Sequence, residues 1–338
     1  MRNLAALPKA HLHVHFTGAM RPSTMVELAR AQGVRLPAHL LENDPLTVPA
    51  DARGWFRFQR SYDAARALVR SETVMRRIID EAAEDDAAEG SVRLEMQVDP
   101  TSYAPWVGGL TPALEIIMDQ ARISSQRTGV SIGIIVAASR IRHPLDARTL
   151  ARLAAQYAGD GPGEVIGFGL SNDETAGTTS EFSTAFRIAR RAGLRGVPHG
   201  GELLGPSHIR EVVTHLKPAR LGHGVRAAED PELLAMLVDS GIALEVCPTS
   251  NVSLGVFPKL EDVPLRRLFD AGAALALGAD DPLLFRSRLV QQYSYAREVG
   301  FSDEELARLA ADSINASFAA DEAKRTWVRK VDEWLTTR

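Results

Sequence analysis

Apolar and polar positions along the chain fall into two alternating rhythms. Short runs rich in β-branched and other apolar residues recur at 12–16 (LHVHF), 92–98 (VRLEMQV), 130–138 (VSIGIIVAA) and 165–170 (VIGFGL). Four more follow at 196–200 (GVPHG), 220–224 (RLGHG), 242–247 (IALEVC) and 273–279 (AALALGA). Several show no polar alternation, the pattern of strands buried on both faces of a parallel sheet. The segments between them carry helix punctuation. TPALEIIMDQARISSQRTG opens on Thr111 as a cap with Pro112 in the first turn and ends at Gly129. EDPELLAMLVDSG repeats the scheme with Asp230, Pro231 and Gly241, and SDEELARLAADS sets Ser302 three residues before Glu305 as a capping box.

Eight strands alternating with helices predict an α/β fold, a (β/α)8 TIM barrel, over a doubly wound open sheet. The expected organisation is one hydrolase domain over 1–338. The spacing is uneven once, from residue 12 to residue 92, which predicts a helical insertion of about 20–90 after the first strand. That insertion includes the amphipathic, aromatic-rich 54–69, expected to pack on the barrel, to cover a substrate, or both, because loops following barrel strands build the active-site face.

Composition narrows the function. The 338 residues are 45% hydrophobic and 24% charged, with 39 Lys and Arg against 43 Asp and Glu, a net charge of −4. So mild a balance argues against nucleic acid or an anionic membrane as partner and leaves a small molecule. A single cysteine, Cys247, permits no internal disulfide, and no run approaches the ~18 apolar residues of a membrane span. A cytoplasmic location is expected, with the oligomeric state left open.

The candidate chemistry gathers at predicted strand ends. His13 and His15, two apart, project to one side of a strand, with His11 expected to share that side. His199 in PHGGE, His223 in GHG and the Asp280-Asp281 pair in LGADDPLLF stand at other strand ends. Three imidazoles and a carboxylate, from His13, His15, His199 and Asp280, would suit Zn²⁺ with an open position. Glu202, His223 and Asp281 remain for proton transfer and substrate contacts. For Asp280 and Asp281 the plain alternative is capping the helix that follows. His39, His143, His208 and His215 fall in loops or helices and are expected to be structural or on the surface.

These motifs, PKAHLHVHFTGAM, GFGLSNDE, PHGGE, RLGHG, EVCPTSN and LGADDPLLF, stand in the order and spacing of the adenosine deaminase family, which the chain resembles from about residue 7 to 335. That family is part of the amidohydrolase superfamily of metal-dependent barrels. The resemblance implies one zinc per subunit on His13, His15, His199 and Asp280. It implies that Glu202 protonates purine N1, that His223 orients the attacking hydroxide, and that Asp280 also takes a proton. Asp281 would bind N7, His15 would also border the substrate, and the turn at Asn172 would offer a backbone N–H to N3. The implied reaction is hydrolysis of a 6-aminopurine nucleoside, adenosine or 2′-deoxyadenosine, to the inosine counterpart and ammonia. Adenine and aminodeoxyfutalosine are the alternative substrates. Hydrolysis of a different bond and a non-catalytic role are remoter alternatives.

Four positions depart from the family pattern. Thr17 stands where relatives carry the aspartate associated with the ribose 5′-hydroxyl. Asn172 replaces a glycine, Gln97 a strand-two arginine, and His11 a glutamate before the H-x-H. All four leave the zinc chemistry untouched and bear on the substrate.

Overall fold

The structure is a computed structural model that describes residues 1–336; Thr337 and Arg338 lie outside the described residues. Eight strands form: β1 (Lys9–His15), β2 (Ser91–Val98), β3 (Ser131–Ser139), β4 (Val165–Ser171), β5 (Arg195–Gly200), β6 (Arg220–His223), β7 (Ala243–Val246) and β8 (Leu275–Leu277). They lie side by side in chain order and all neighbours run parallel. The ring is drawn together between β8 and β1 by the Val14–Asp280 bridge, where Asp280 N donates to His13 O and His15 N to Asp280 O, each at 3.0 Å. This is the (β/α)8 barrel, and the open-sheet alternative is excluded. Every predicted strand is present; the eighth shortens to three residues.

The strands form because their side chains are covered on both faces. In β3 all residues but Ser131 are buried, with Ile132, Ile134 and Val136 fully enclosed. Helices coat the outside and begin where the sequence signals they should. Asp230 accepts from two N–H groups of Pro231–Asp239, and Ser302 with Glu305 makes a complete capping box on Asp303–Ala316. One start differs: the helix Leu110–Thr128 begins after Gly109, two residues earlier than a Thr111 cap allows, so Thr111 and Pro112 lie inside its first turn.

Between β1 and β2 run three α-helices, Pro22–Ala31, Ala52–Arg66 and Glu72–Ala88. The last covers β2, and Ala52–Arg66 crosses the mouth of the barrel. Phe58 stacks on Phe285 at 5.7 Å, and Trp55, Phe58, Gln59, Tyr62 and Arg66 face the cavity there. The insertion therefore both packs and roofs. Among the described residues no helix is long and apolar enough to cross a membrane.

β1 corrects one expectation. Its pairing with β2 is irregular: His11 faces Leu94 while Val14 faces Met96, so three steps on β1 match two on β2. The extra residue turns His11 to the outer face. Its Nδ1 lies 3.1 Å from Asp86 of Glu72–Ala88, and its Nε2 accepts from Ala279 N at 3.2 Å. His13 and His15 stay inward.

Candidate active site

The strand ends deliver the side chains to one cavity at the C-terminal face. It is bordered by His15, His199, Glu202, His223, Asp280 and Asp281, with Gln97, Asn172 and Tyr103 among the flanking residues. His13 lies at its floor, with ring centroids of His15, His199 and His223 at 5.3, 4.8 and 4.6 Å. Gly222 makes that crowding possible: a Cβ there would come within 2.7 Å of His199 and 3.0 Å of His13.

The backbone at this rim is bent into the left-handed region at three polar residues, Asn172 (φ 79°), His223 (φ 66°) and Asp280 (φ 59°). Asn, Asp and His accept that geometry more readily than most non-glycine residues, and such strain concentrates at functional sites. Asp281 stands at the cap position of the short helix Pro282–Phe285 but makes no side-chain cap bond. Its Oδ1 is buried without a partner, so capping does not explain it. Gly18 lets the carboxyl in, because a Cβ there would fall 1.8 Å from that oxygen.

Donor atoms of His13, His15 and His199 fall within 4.8 Å of one another, as do those of His13, His223, Cys247 and Asp280. His13 Nε2 is buried with no hydrogen-bond partner, and Asp280 Oδ1 lies 3.7 Å from it and 3.2 Å from His15 Nε2. Orphaned imidazole nitrogens converging beside a carboxylate fit a metal ion, which would satisfy them at once.

The electrostatics separate the acids. Burial, then the nearby Asp280 and Glu174 charges, pushes Glu202 well above the usual carboxyl range. Burial and Asp280 do the same to Asp281. Burial opposes ionisation of Asp280 too, but the His15 hydrogen bond and the surrounding imidazoles outweigh it and hold Asp280 low. Burial, then His13, depresses His223 to about 3. Neutral acids beside an ionised one are the division of labour of acid–base chemistry.

Sequence reasoning missed several supporting residues. Glu174, buried, accepts from the N–H groups of Glu202 (3.1 Å), Leu203 (2.9 Å) and Leu204 (2.8 Å), clamping the turn that carries Glu202. Ser250 Oγ donates to Asp280 Oδ2 at 2.5 Å. Thr17, fully buried, shares a 2.6 Å hydrogen bond with the Tyr103 hydroxyl. Glu245 lies behind His13, and its signal was a charge inside the apolar run IALEVC. Of the four histidines assigned elsewhere, His143 caps a helix, His39 bonds Ser61 at 2.6 Å and His215 is exposed. His208 is buried against Thr179, a structural and not a surface role.

A parallel barrel with imidazoles and carboxylates gathered at the strand C-termini defines a hydrolase of the amidohydrolase type. The adenosine deaminase family model matches residues 8–334. A putative adenosine/adenine deaminase of Streptomyces virginiae is 56% identical over 337 residues, covering 99% of this chain and 98% of that one. An adenine deaminase of Rhizobium meliloti is 37% identical over 322 residues, covering 95% and 97%. The crystal structure of adenine deaminase from Arthrobacter aurescens superposes with a TM-score of 0.88 at 30% identity, covering 98% of this chain and all of that one. The chain belongs to the adenosine deaminase family, and it is a hydrolytic deaminase acting on a C–N bond.

Proposed function

We propose that this protein hydrolyses the 6-amino group of a purine in a zinc-dependent reaction, and that its substrate is the free base adenine, converted with water to hypoxanthine and ammonia. The observation that carries the substrate is the Thr17–Tyr103 hydrogen bond. Where relatives with nucleoside substrates carry an aspartate, the wall here is a neutral hydroxyl already engaged by a phenol. Tyr62 lines the same cavity half-buried, and Tyr103 is buried. At that wall a ribose would meet the aromatic rings of Tyr62 and Tyr103. The adenine deaminases among the relatives support the same choice over adenosine.

The zinc ligands in this reading are His13, His15, His199 and Asp280. A bound zinc would supply Lewis acidity and a water of lowered pKa. The protein supplies the rest. Glu202, kept protonated by burial, gives its proton to N1 and makes C6 electrophilic. Asp281, also protonated, donates to N7. His223, neutral, orients the attacking oxygen. Asp280, anionic and fixed by Ser250, accepts the proton of the attacking water and passes it to the departing amine. Asn172 presents the backbone of its turn towards N3, and the roof helix Ala52–Arg66 limits access of bulk water.

Steady-state kcat/KM for adenine, adenosine, 2′-deoxyadenosine and aminodeoxyfutalosine on zinc-replete enzyme tests this. Adenine is expected to lead by at least an order of magnitude. Adenosine ahead of adenine would overturn the choice of base, and turnover of none would overturn the reaction.

A further inference from the structure

Below the cavity the barrel interior holds charge where such cores ordinarily hold branched apolar side chains. Arg93 and Glu95 of β2, Arg220 of β6 and Glu245 of β7 are each at most 1% exposed. Arg220 donates from Nε to Glu245 Oε1 at 2.5 Å and from Nη2 to Glu95 Oε2 at 2.7 Å. Arg93 Nε donates to Glu95 Oε1 at 3.0 Å. Two carboxylates and two guanidinium groups leave the cluster neutral. Its lower side is sealed by the chain after Asp303–Ala316. Arg220 Nη1 donates to Ala316 O at 2.8 Å, Phe318 N donates to Glu95 Oε1 at 2.7 Å, and the Phe318 ring lies 3.7 Å from the Arg220 guanidinium.

Buried ion pairs add little net stability compared with apolar packing of the same volume, so stability alone is a weak reason for this cluster. Its upper end touches the site: Glu245 Oε2 lies 2.8 Å from His13 Nδ1. The opposite nitrogen, His13 Nε2, is the orphaned atom of the cavity floor.

We infer that Glu245, braced by Arg220 and Glu95, is a positioning residue that fixes the tautomer and ring orientation of His13 so that the Nε2 lone pair faces the metal position. This rests on the reading of His13 as a zinc ligand. Neutral imidazole carries one N–H, and an ionised carboxylate only accepts. Glu245 accepts from Arg220 through Oε1 and faces His13 through Oε2, so Nδ1 meets an acceptor, carries the proton, and leaves Nε2 bare. The reverse tautomer would set a lone pair against the carboxylate and aim an N–H at a cation. Gln97 Nε2 lies 3.4 Å from the same Nδ1 and, as a donor, favours that reverse tautomer. The Glu245 contact, 2.8 Å against 3.4 Å, prevails. The bracing also stops the carboxylate from swinging into the cavity to compete for the metal.

The test is Glu245→Gln, with zinc affinity measured by competition against a chromophoric chelator and stability by denaturant unfolding. An amide between His13 and Arg220 must turn a donor towards one of them, so zinc is expected to bind about 10–100-fold more weakly than in the wild type. A purely structural role would lower the unfolding midpoint and leave the affinity of the folded protein unchanged; that result would overturn the proposal alone. Absence of zinc binding by the wild type would overturn the ligand reading and this proposal with it. A second measurement needs no variant. In zinc-loaded wild type with ¹⁵N-labelled histidine, the His13 Nδ1 proton is expected far downfield and slow to exchange. A solvent-exchanging Nδ1 proton would overturn the proposal even if the variant failed to fold.

Discussion

At the residue scale the reaction turns on which carboxyl groups carry a proton. Glu202 is raised by burial and by Asp280, while Asp280 is held anionic among imidazoles. Glu202→Gln is therefore expected to keep its zinc and fold yet lose roughly 10²–10⁴-fold in kcat, since an amide is a poor proton donor. The sign of the pH dependence follows: in the proposed mechanism the active form of Glu202 is the acid, so kcat/KM is expected to fall as pH rises through its raised pKa. The pH–rate profile of the variant should lack that alkaline limb; an unchanged limb would assign it to another group. Thr17→Asp tests the base reading from the other side. A carboxylate there restores an anionic acceptor for a sugar hydroxyl, and a charge-assisted hydrogen bond is worth about 1.5–3 kcal/mol. The ratio of kcat/KM for adenosine to that for adenine should rise by about tenfold or more. No change in the ratio would locate sugar discrimination elsewhere in the cavity wall.

At the element scale, the signals that set helices and strands were largely local and therefore legible. Ser302 with Glu305, and Asp230 with Pro231, announce helix starts because side-chain capping is a short-range contact. Ser302→Ala should cost about 1 kcal/mol in urea unfolding and leave kinetics unchanged, because the helix lies outside the site. The bulge in β1 was not legible. H-x-H-x-H reads as three histidines on one face, and only pairing with β2 shows where the extra residue falls. The roof helix Ala52–Arg66 was legible as amphipathic, but not its partner Phe285, more than two hundred residues away. Phe58→Ala removes that stack and a cavity wall together. It should destabilise the protein by about 3 kcal/mol in denaturant unfolding and raise KM for adenine more than it lowers kcat. A change in stability with KM untouched would reduce the helix to packing.

At the scale of the whole molecule, the barrel is drawn together at Asp280, in the segment just after β8. The Val14–Asp280 bridge ties the segment after β8 to β1 through the backbone of a residue whose side chain belongs to the proposed metal set. Closure and site assembly are one event, so zinc should stabilise the global fold. Chelation is expected to lower the Tm, and zinc at 100 times its Kd to restore about 2.7 kcal/mol. A Tm indifferent to chelator would place the metal outside the cooperative unit. The spread of the site over β1, β5, β6, the segment after β8 and the turn held by Glu174 explains why isolated motifs carried so much information and so little geometry.

The sequence by itself determined the strand and helix order, the deaminase family and the histidines and acids that meet, because buried parallel strands demand apolar runs and metal and acid–base chemistry demands particular side chains. It also marked Thr17 as the position to watch. Only the tertiary structure decided which way His11 turns, that Tyr103 closes on Thr17, and that Glu245 and Arg220 stand behind His13. Those contacts join residues 75 to 232 positions apart. Long-range partners of this kind are chosen by chain folding and the need to pair every buried polar group, and no local pattern in one sequence encodes them.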